Sequence, residues 1–180
     1  MIEGRLVNLR AQEFSDLDRF YAWINDPDVT RFLDARYPVA REAEEAWARD
    51  RASSMMSYTN VHFAIETKDG VHIGSVNFHK ISPENRTGRL GIMIGDKAYW
   101  SRGYGTDAIT TFCRFGFEEM DLARIDLTVD AENARAIACY RKAGFVEEAR
   151  LRQDRYRRGA AADTLVMGLL REEFDALDRA

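Results

Sequence analysis

The run Trp100-Ser101-Arg102-Gly103-Tyr104-Gly105-Thr106-Asp107-Ala108 carries the sharpest chemical signal in the chain. Its two glycines lie between an alternating apolar segment and a helical one, and they let backbone come close to a ligand. The first-turn N–H groups of the helix that follows have no partner within it and carry partial positive charge, which makes an anion site. A phosphate or pyrophosphate is the natural guest, and Arg102 adds a guanidinium for a charge-assisted contact. The same spacing also suits a loop whose glycines serve the turn alone.

Known phosphate loops can be weighed against this run. The pattern GxxxxGK[ST] is absent. Gly103, Gly105 and Ala108 satisfy GxGxxA, and Asp130 lies roughly 20 residues further on, where a ribose-binding acid would sit. Against a dinucleotide fold, Gly95 to Trp100 separate the preceding strand from the glycines, and only about 50 residues follow Asp130, too few for further βαβ units. Cys113 and Cys139 sit in apolar helical patterns without a CxxC spacing and read as buried reduced thiols. His62, His72 and His79 fall on two adjacent strand-like segments with no metal-ligand spacing, so no metal is expected.

The elements that must position the loop follow from periodicity. Leu6 and Leu9 flank a first strand ending near Arg10. Glu13 to Asn25 carries Phe14, Leu17, Phe20, Tyr21 and Ile24 at helical spacing and stops at Asn25-Asp26-Pro27. A second helix spans 40–53. Val61 to Glu66 and Val71 to Phe78 alternate around Lys68-Asp69-Gly70, a hairpin signal, and Arg89 to Ile94 forms a third strand of this meander. Gly105 to Glu119 is a helix, and Ile125, Leu127 and Val129 alternate as a strand. Asn133, a favoured N-cap, opens a helix that Gly144 stops. Phe145 to Gln153 and Thr164 to Leu170 close the fold as a hairpin around Arg157-Arg158-Gly159. The whole chain, 1–180, reads as one α/β (α+β) domain with a mixed, mostly antiparallel sheet flanked by helices.

Composition agrees with this and narrows the partners. The chain of 180 residues is 46% hydrophobic and 31% charged, ordinary values for a globular protein. It has no apolar run of membrane-spanning length and no signal-peptide core, so a cytoplasmic location is expected. A net charge of −4 argues against a nucleic-acid partner. The arginine-rich stretch Arg150 to Arg158 is expected to be a solvated hairpin.

The block Leu90-Gly91-Ile92-Met93-Ile94-Gly95-Asp96, continued by Tyr99 to Ala108, resembles motif A of the GNAT N-acetyltransferases. Asn133-Ala134-Arg135-Ala136-Ile137-Ala138-Cys139-Tyr140-Arg141-Lys142-Ala143-Gly144-Phe145 resembles their motif B. The two come in the right order, and the likeness extends from Leu9-Arg10 to Phe174, nearest to the branch of ribosomal-protein and spermidine N-acetyltransferases. It implies a sheet whose two central strands splay so that the pantetheine of acetyl-CoA, the cosubstrate, lies between them. It implies backbone hydrogen bonds from Met93, Ile94 and Gly95, with one N–H polarising the thioester carbonyl. Trp100, Ser101, Arg102, Gly103, Tyr104, Gly105 and Thr106 would cradle the pyrophosphate, with Asn133 and Lys142 adding contacts to the cofactor.

By the same resemblance Tyr140, on the apolar face of its helix, is the general acid that protonates the departing thiolate. A phenol pKa of ~10 against ~8.5 for a thiol makes that transfer accessible. The base is less defined. Relatives often carry a glutamate where this chain has Arg89. Asp34, in the region where polyamine acetyltransferases place an acid, is the candidate, with Glu66, Asp163 and His79 less distinguished. An α-amine of pKa ~7.8 is roughly a tenth or more neutral at pH 7, while a lysine-like amine of ~10.4 is neutral only about once in 2,500, an offset of roughly 4.6 kcal/mol. A site without a strong base therefore leans toward an N-terminus or a weakly basic small amine. The expected activity is acetyl transfer to a primary amine of a protein N-terminus, a polyamine or another small molecule. The alternative is a non-catalytic acyl-CoA sensor or interaction module. Trp100 and Tyr104, expected to be exposed, suit either packing over the cofactor or a homodimer contact.

Overall fold

The computed structural model describes residues 1–35, 37–53, 61–157 and 159–178. Its strands are β1 (Ile2–Glu3), β2 (Val7–Arg10), β3 (Val61–Thr67), β4 (His72–Ser82), β5 (Thr87–Ile94), β6 (Arg124–Asp130), β7 (Val146–Arg157) and β8 (Ala160–Leu170). The helices are α1 (Leu17–Ile24), α2 (Arg41–Ser53), α3 (Tyr104–Glu118), α4 (Ala134–Lys142) and α5 (Arg171–Asp178). One sheet runs in the order β1-β2-β3-β4-β5-β6-β8-β7, mixed and flanked by helices as expected. Every neighbour pair is antiparallel except β5 and β6.

That parallel junction is short. β5 and β6 pair only at Thr87↔Arg124, Gly88↔Ile125 and Arg89↔Asp126. Beyond it β5 stays with β4 as far as Gly74↔Ile94, and β6 stays with β8 as far as Asp130↔Thr164. Each strand keeps its outer neighbour, so a fork opens between Leu90–Ile94 and Leu127–Asp130.

α3 covers the sheet behind the fork. Ala108, Ile109, Phe112, Cys113 and Phe117 recur on one face of α3 and bury against Phe78, Ile125 and Leu127. The rings of Phe78 and Phe112 stack at 4.1 Å. α4 ends in a Schellman cap: Phe145 N–H donates to the Tyr140 carbonyl at 3.0 Å and Gly144 N–H to that of Arg141 at 3.1 Å. Gly144 takes φ +97°, where a side chain would be strained.

Three elements exceed the sequence expectation. α5 follows β8 directly, and its Phe174 packs on Phe117 at 5.3 Å. β7 and β8 also run further, β7 to Arg157 and β8 from Ala160, into the stretch 154–163 expected as a loop. No helix among the described residues is long and apolar enough to cross a membrane.

A buried polar cluster fastens α1 to the sheet. Arg10 donates to Glu66 at 2.6 Å and to both Asp16 oxygens at 2.8 Å, while Glu13 N–H donates to Asp16 at 2.9 Å. His72 Nδ1 lies 3.2 Å from Asp16 without hydrogen-bond alignment. Its Nε2 sits 2.9 Å from the Gly74 carbonyl, which can only accept, so the proton is assigned to Nε2. The His72 ring packs on Trp23 at 4.9 Å and on Phe20 at 5.8 Å.

Burial lowers the His72 pKa below its ordinary 6.5 against the opposing pull of Asp16. Burial and then Arg89 lower that of His79. The unfolded chain therefore binds protons near pH 6.5 that the folded one refuses, so stability falls as pH drops through that value toward the folded pKa. The urea midpoint is expected to decrease from about pH 7.5 to about pH 5.5, with a shallower slope in His72→Gln. A pH-independent midpoint would contradict the assignment of two neutral imidazoles, His72 buried and His79 half-buried.

Candidate active site

The peptide of Ile94 lines the fork. Gly95 N–H donates to the Ile73 carbonyl at 2.9 Å, on the β4 side. Backbone groups alternate along a strand, so those of Ile94 face the opposite way, into the gap, while those of Met93 face β4. Within the gap Trp100 Nε1 donates to the Ile94 carbonyl at 2.7 Å. Trp100 and Tyr104 are half-buried, contrary to the expectation of exposure. The Arg135 guanidinium lies 3.7 Å over the Trp100 ring, and Tyr104 meets Tyr99 edge to face at 5.0 Å.

The loop after β5 forms the second wall. Asp96 accepts from Ala98 N–H at 3.0 Å, starting a turn of 3-10 helix at Lys97–Tyr99. Ser101 at φ +58° and Gly103 at φ +90° then turn the chain through left-handed conformations into α3. Gly103 is the N-cap residue and no side chain caps the helix, so the first-turn N–H groups stay directed outward. Arg102 lies beside them, exposed, with one guanidinium nitrogen on the Ala98 carbonyl at 3.2 Å. Asp107 locks this end from behind, accepting from the N–H groups of Arg5, Leu6 and Val7 at 3.2, 2.7 and 3.0 Å. The sequence reading gave Asp107 no role, because its partners lie some hundred positions away.

Three elements converge on Gly105. A Cβ built there would sit 3.4 Å from Cys139 Sγ and 3.8 Å from Ile94 Cγ1. Thr106 Oγ1 contacts Cys139 Sγ at 3.2 Å, so Cys139 is half-buried while Cys113 is fully buried. Tyr140 follows, buried, with its ring against Phe145 at 6.0 Å and its hydroxyl making no hydrogen bond among the described residues. Burial, with the neighbouring Cys139 adding to it, pushes the Tyr140 phenol above its ordinary pKa. The phenol therefore stays protonated throughout the neutral range. Asn133 caps α4, its Oδ1 accepting from Ala136 N–H at 3.2 Å, and Lys142 is exposed on the last turn.

The candidate bases are differently placed. Asp34 is 80% exposed at its side chain and pairs with Arg155 at 2.8 Å and Arg157 at 3.4 Å. Glu66 is held by Arg10, and Asp163 by Arg150 at 2.7 Å and Gln153 N–H at 2.9 Å. His79 Nδ1 lies 3.2 Å from the Asn77 amide. No group of three or more His, Cys, Asp or Glu among the described residues is arranged to hold a metal.

Arg155 and Arg157 correct the picture of a solvated arginine hairpin. Gln153 at φ +53° and a register shift between Leu151 and Arg155 bend β7 and bring both side chains inward. They are only 17% and 15% exposed. Arg157 donates to the carbonyls of Arg31, Phe32 and Leu33 at 3.1, 3.3 and 2.6 Å, clamping the loop between α1 and α2. Between that loop and the hairpin tip lies a cavity of about 340 Å³.

Trp23 is the other residue the sequence reading passed over. A Cβ at Gly95 would come within 2.0 Å of the Trp23 ring, so only glycine fits beneath it. A tryptophan three positions after Phe20, at helical spacing, was the available signal.

Fork, outward-facing Ile94 peptide and left-handed turn into a helix end together suit an acyl-CoA thioester. Residues 6–146 match the acetyltransferase (GNAT) domain, and the chain belongs to that family of acetyl-CoA-dependent acyltransferases. An uncharacterized N-acetyltransferase of Bacillus licheniformis is 25% identical over 173 residues, 93% of this chain and 94% of the relative. The spermidine N(1)-acetyltransferase of Escherichia coli K12 is 26% identical over 175 residues, 97% and 91% of the two chains. The crystal structure of spermidine N-acetyltransferase from Vibrio cholerae with CoA and spermine shares the fold, with TM-score 0.84 over 94% of this chain and 98% of that one at 23% identity.

The two glycines nearest the fork should respond differently to substitution. Gly95→Ala must displace Trp23 and is expected to cost about 1–3 kcal/mol in urea unfolding. Gly105→Ala meets only ordinary contacts within a helix and should change stability by no more than about 1 kcal/mol, in either direction. Equal effects would refute the packing of Trp23 on Gly95.

Proposed function

We propose that the protein transfers an acetyl group from acetyl-CoA to a primary amine by direct attack on the thioester. The observation that carries this reading is the fork itself, with the Ile94 peptide facing it. Acetyl-CoA supplies an activated acyl carbon when bound. Ile94 N–H donates toward the thioester oxygen, stabilising the charge that develops there. The Ile94 carbonyl exchanges its bond from Trp100 for one from a pantetheine amide, a near-neutral trade of one hydrogen bond for another. Met93 and Gly95 act in this reading by holding β5 to β4. Ser101, Arg102, Gly103, Tyr104, Gly105 and Thr106 bind the pyrophosphate, with Trp100 and Arg135 alongside and Asn133 and Lys142 at the edges.

In the transfer the C–N bond forms, the C–S bond breaks and the amine loses one proton. Tyr140 donates its phenolic proton to the departing sulfur and recovers one from solvent afterwards. The amine's proton leaves to water or to Asp34, the acid on the loop that walls the cavity. Two free thiols suit a reducing cytoplasmic setting.

Tyr140→Phe tests the assignment with the least structural change. Acceptor-dependent release of free CoA thiol is expected to slow by about a hundredfold or more, with acetyl-CoA affinity by calorimetry within about twofold. Unchanged turnover would remove Tyr140 as the acid. Absence of acetyl-CoA binding in the unmodified protein would remove the reading altogether.

A further inference from the structure

The cavity beside the fork has a lining that selects an acceptor. Its walls begin one step from each splayed strand. On the β5 side, Trp23 lies on Gly95, and Ile24 and Asn25, the next two residues, line the cavity. On the β6 side, Arg157 lines the cavity with its Nε 3.6 Å from Asp130, the last residue of the strand. An amine held in this cavity is therefore next to the open end of the gap.

Among the described residues the lining comprises Arg31 and Arg157, the aromatic Tyr37 and Tyr156, apolar or neutral residues, and no Asp or Glu. Acids close by are already matched: Asp34 pairs with Arg155 and Arg157, while Asp26 and Asp28 pair with Lys97 at 2.8 and 3.1 Å. Arg157 spends its donors on the 31–34 loop. Arg31 is different: it is exposed, lies 5.1 Å over the Phe32 ring, and forms no ion pair among the described residues. Tyr37 and Tyr156 are 81% and 63% exposed, an unusual outlay of aromatic surface at a cavity rim.

A polycation finds no carboxylate here for its distal ammonium groups and meets guanidinium instead. An acceptor with an anionic group finds a bidentate-capable guanidinium beside two aromatic faces. We propose that the acceptor is an amine carrying a carboxylate or comparable anion on the same small framework, and not a polyamine. Free amino acids and peptide N-termini followed by an acidic side chain share that chemistry. The inference rests on the acetyl-transfer reading and narrows its substrate.

Thiol release with acetyl-CoA should be measured for spermidine, a set of free amino acids, and peptides that begin with acidic or basic residues. An anionic acceptor should exceed spermidine in kcat/KM by at least about tenfold. Release with free amino acids assigns a small-molecule acceptor; release only with acidic peptides assigns a chain terminus. Arg31→Glu should raise KM for the anionic acceptor by about tenfold or more with kcat within about twofold, and should improve spermidine. Arg31→Lys, which keeps the charge, should recover most of the loss and guards against a folding effect. Spermidine as the best acceptor, or a KM indifferent to Arg31→Glu, would overturn the inference and leave the acetyltransferase reading standing. Release with none of these amines, although acetyl-CoA binds, would overturn both.

Discussion

The Arg89–Asp126 ion pair, 2.5 Å long, spans the last rung at which β5 and β6 still hold together. Below it the sheet is continuous; above it two antiparallel blocks, β1 to β5 and β6-β8-β7, go separate ways. Three parallel residue pairs are a slight join for a sheet of this width, and parallel pairing is slightly weaker per residue than antiparallel. A charge-assisted contact between half-buried side chains reinforces the rung where the strain of divergence falls. α3 bridges the two blocks from behind, with Phe112 on Phe78 of β4 and Ile109 in the same core as Ile125 of β6. A fork is stable only if something other than the missing hydrogen bonds holds its arms, and these contacts supply it.

Arg89 also explains why no carboxylate projects from this part of β5. At the base of the fork this strand places a cation, which closes onto Asp126. The same Arg89 lies close enough to His79, opposite it on β4, to oppose protonation of that imidazole. A chain built this way has placed its strand-borne charge in the service of geometry. In the proposed transfer, proton removal from the amine then falls to a group on the loop or to water, which would favour acceptors that are already partly neutral.

Much of this was legible in the sequence, because the informative signals are local. Gly144 after a helix, followed by Phe145, announces the Schellman cap, and Tyr140 three positions before the cap residue supplies its apolar contact. Gly103 and Gly105 announce the turn into α3 for the same reason: the constraint and the residue that satisfies it are adjacent. Contacts between distant segments were not legible. Asp107 reaching Arg5, Leu6 and Val7, Trp23 lying on Gly95, and Arg157 clamping the 31–34 loop all join residues about 70 to 125 positions apart. A helix start such as Arg171 leaves no periodic mark when it follows a strand without a break, so α5 was also invisible. The arginines of β7 misled for a related reason. A charge run is normally a solvated face, and only a bend at Gln153 turns two of them inward.

Those inward arginines tie the chemistry on the two sides of the gap to one another. In the proposed reading the end of α3 and Arg102 make the cofactor side positive, as a pyrophosphate requires. The cavity proposed for the acceptor is also lined by cations, although the chain as a whole carries a net charge of −4. Charge is therefore distributed against the average at both mouths, and bulk acidity says nothing about either ligand. A polyamine site would set a positive cofactor mouth against a negative acceptor mouth. Here Asp34, the acid that adjoins the carbonyls held by Arg157, is matched by Arg155 and Arg157. The clamp that shapes the cavity thus also pairs Asp34, and the proposed exclusion of a polycation rests on that same contact.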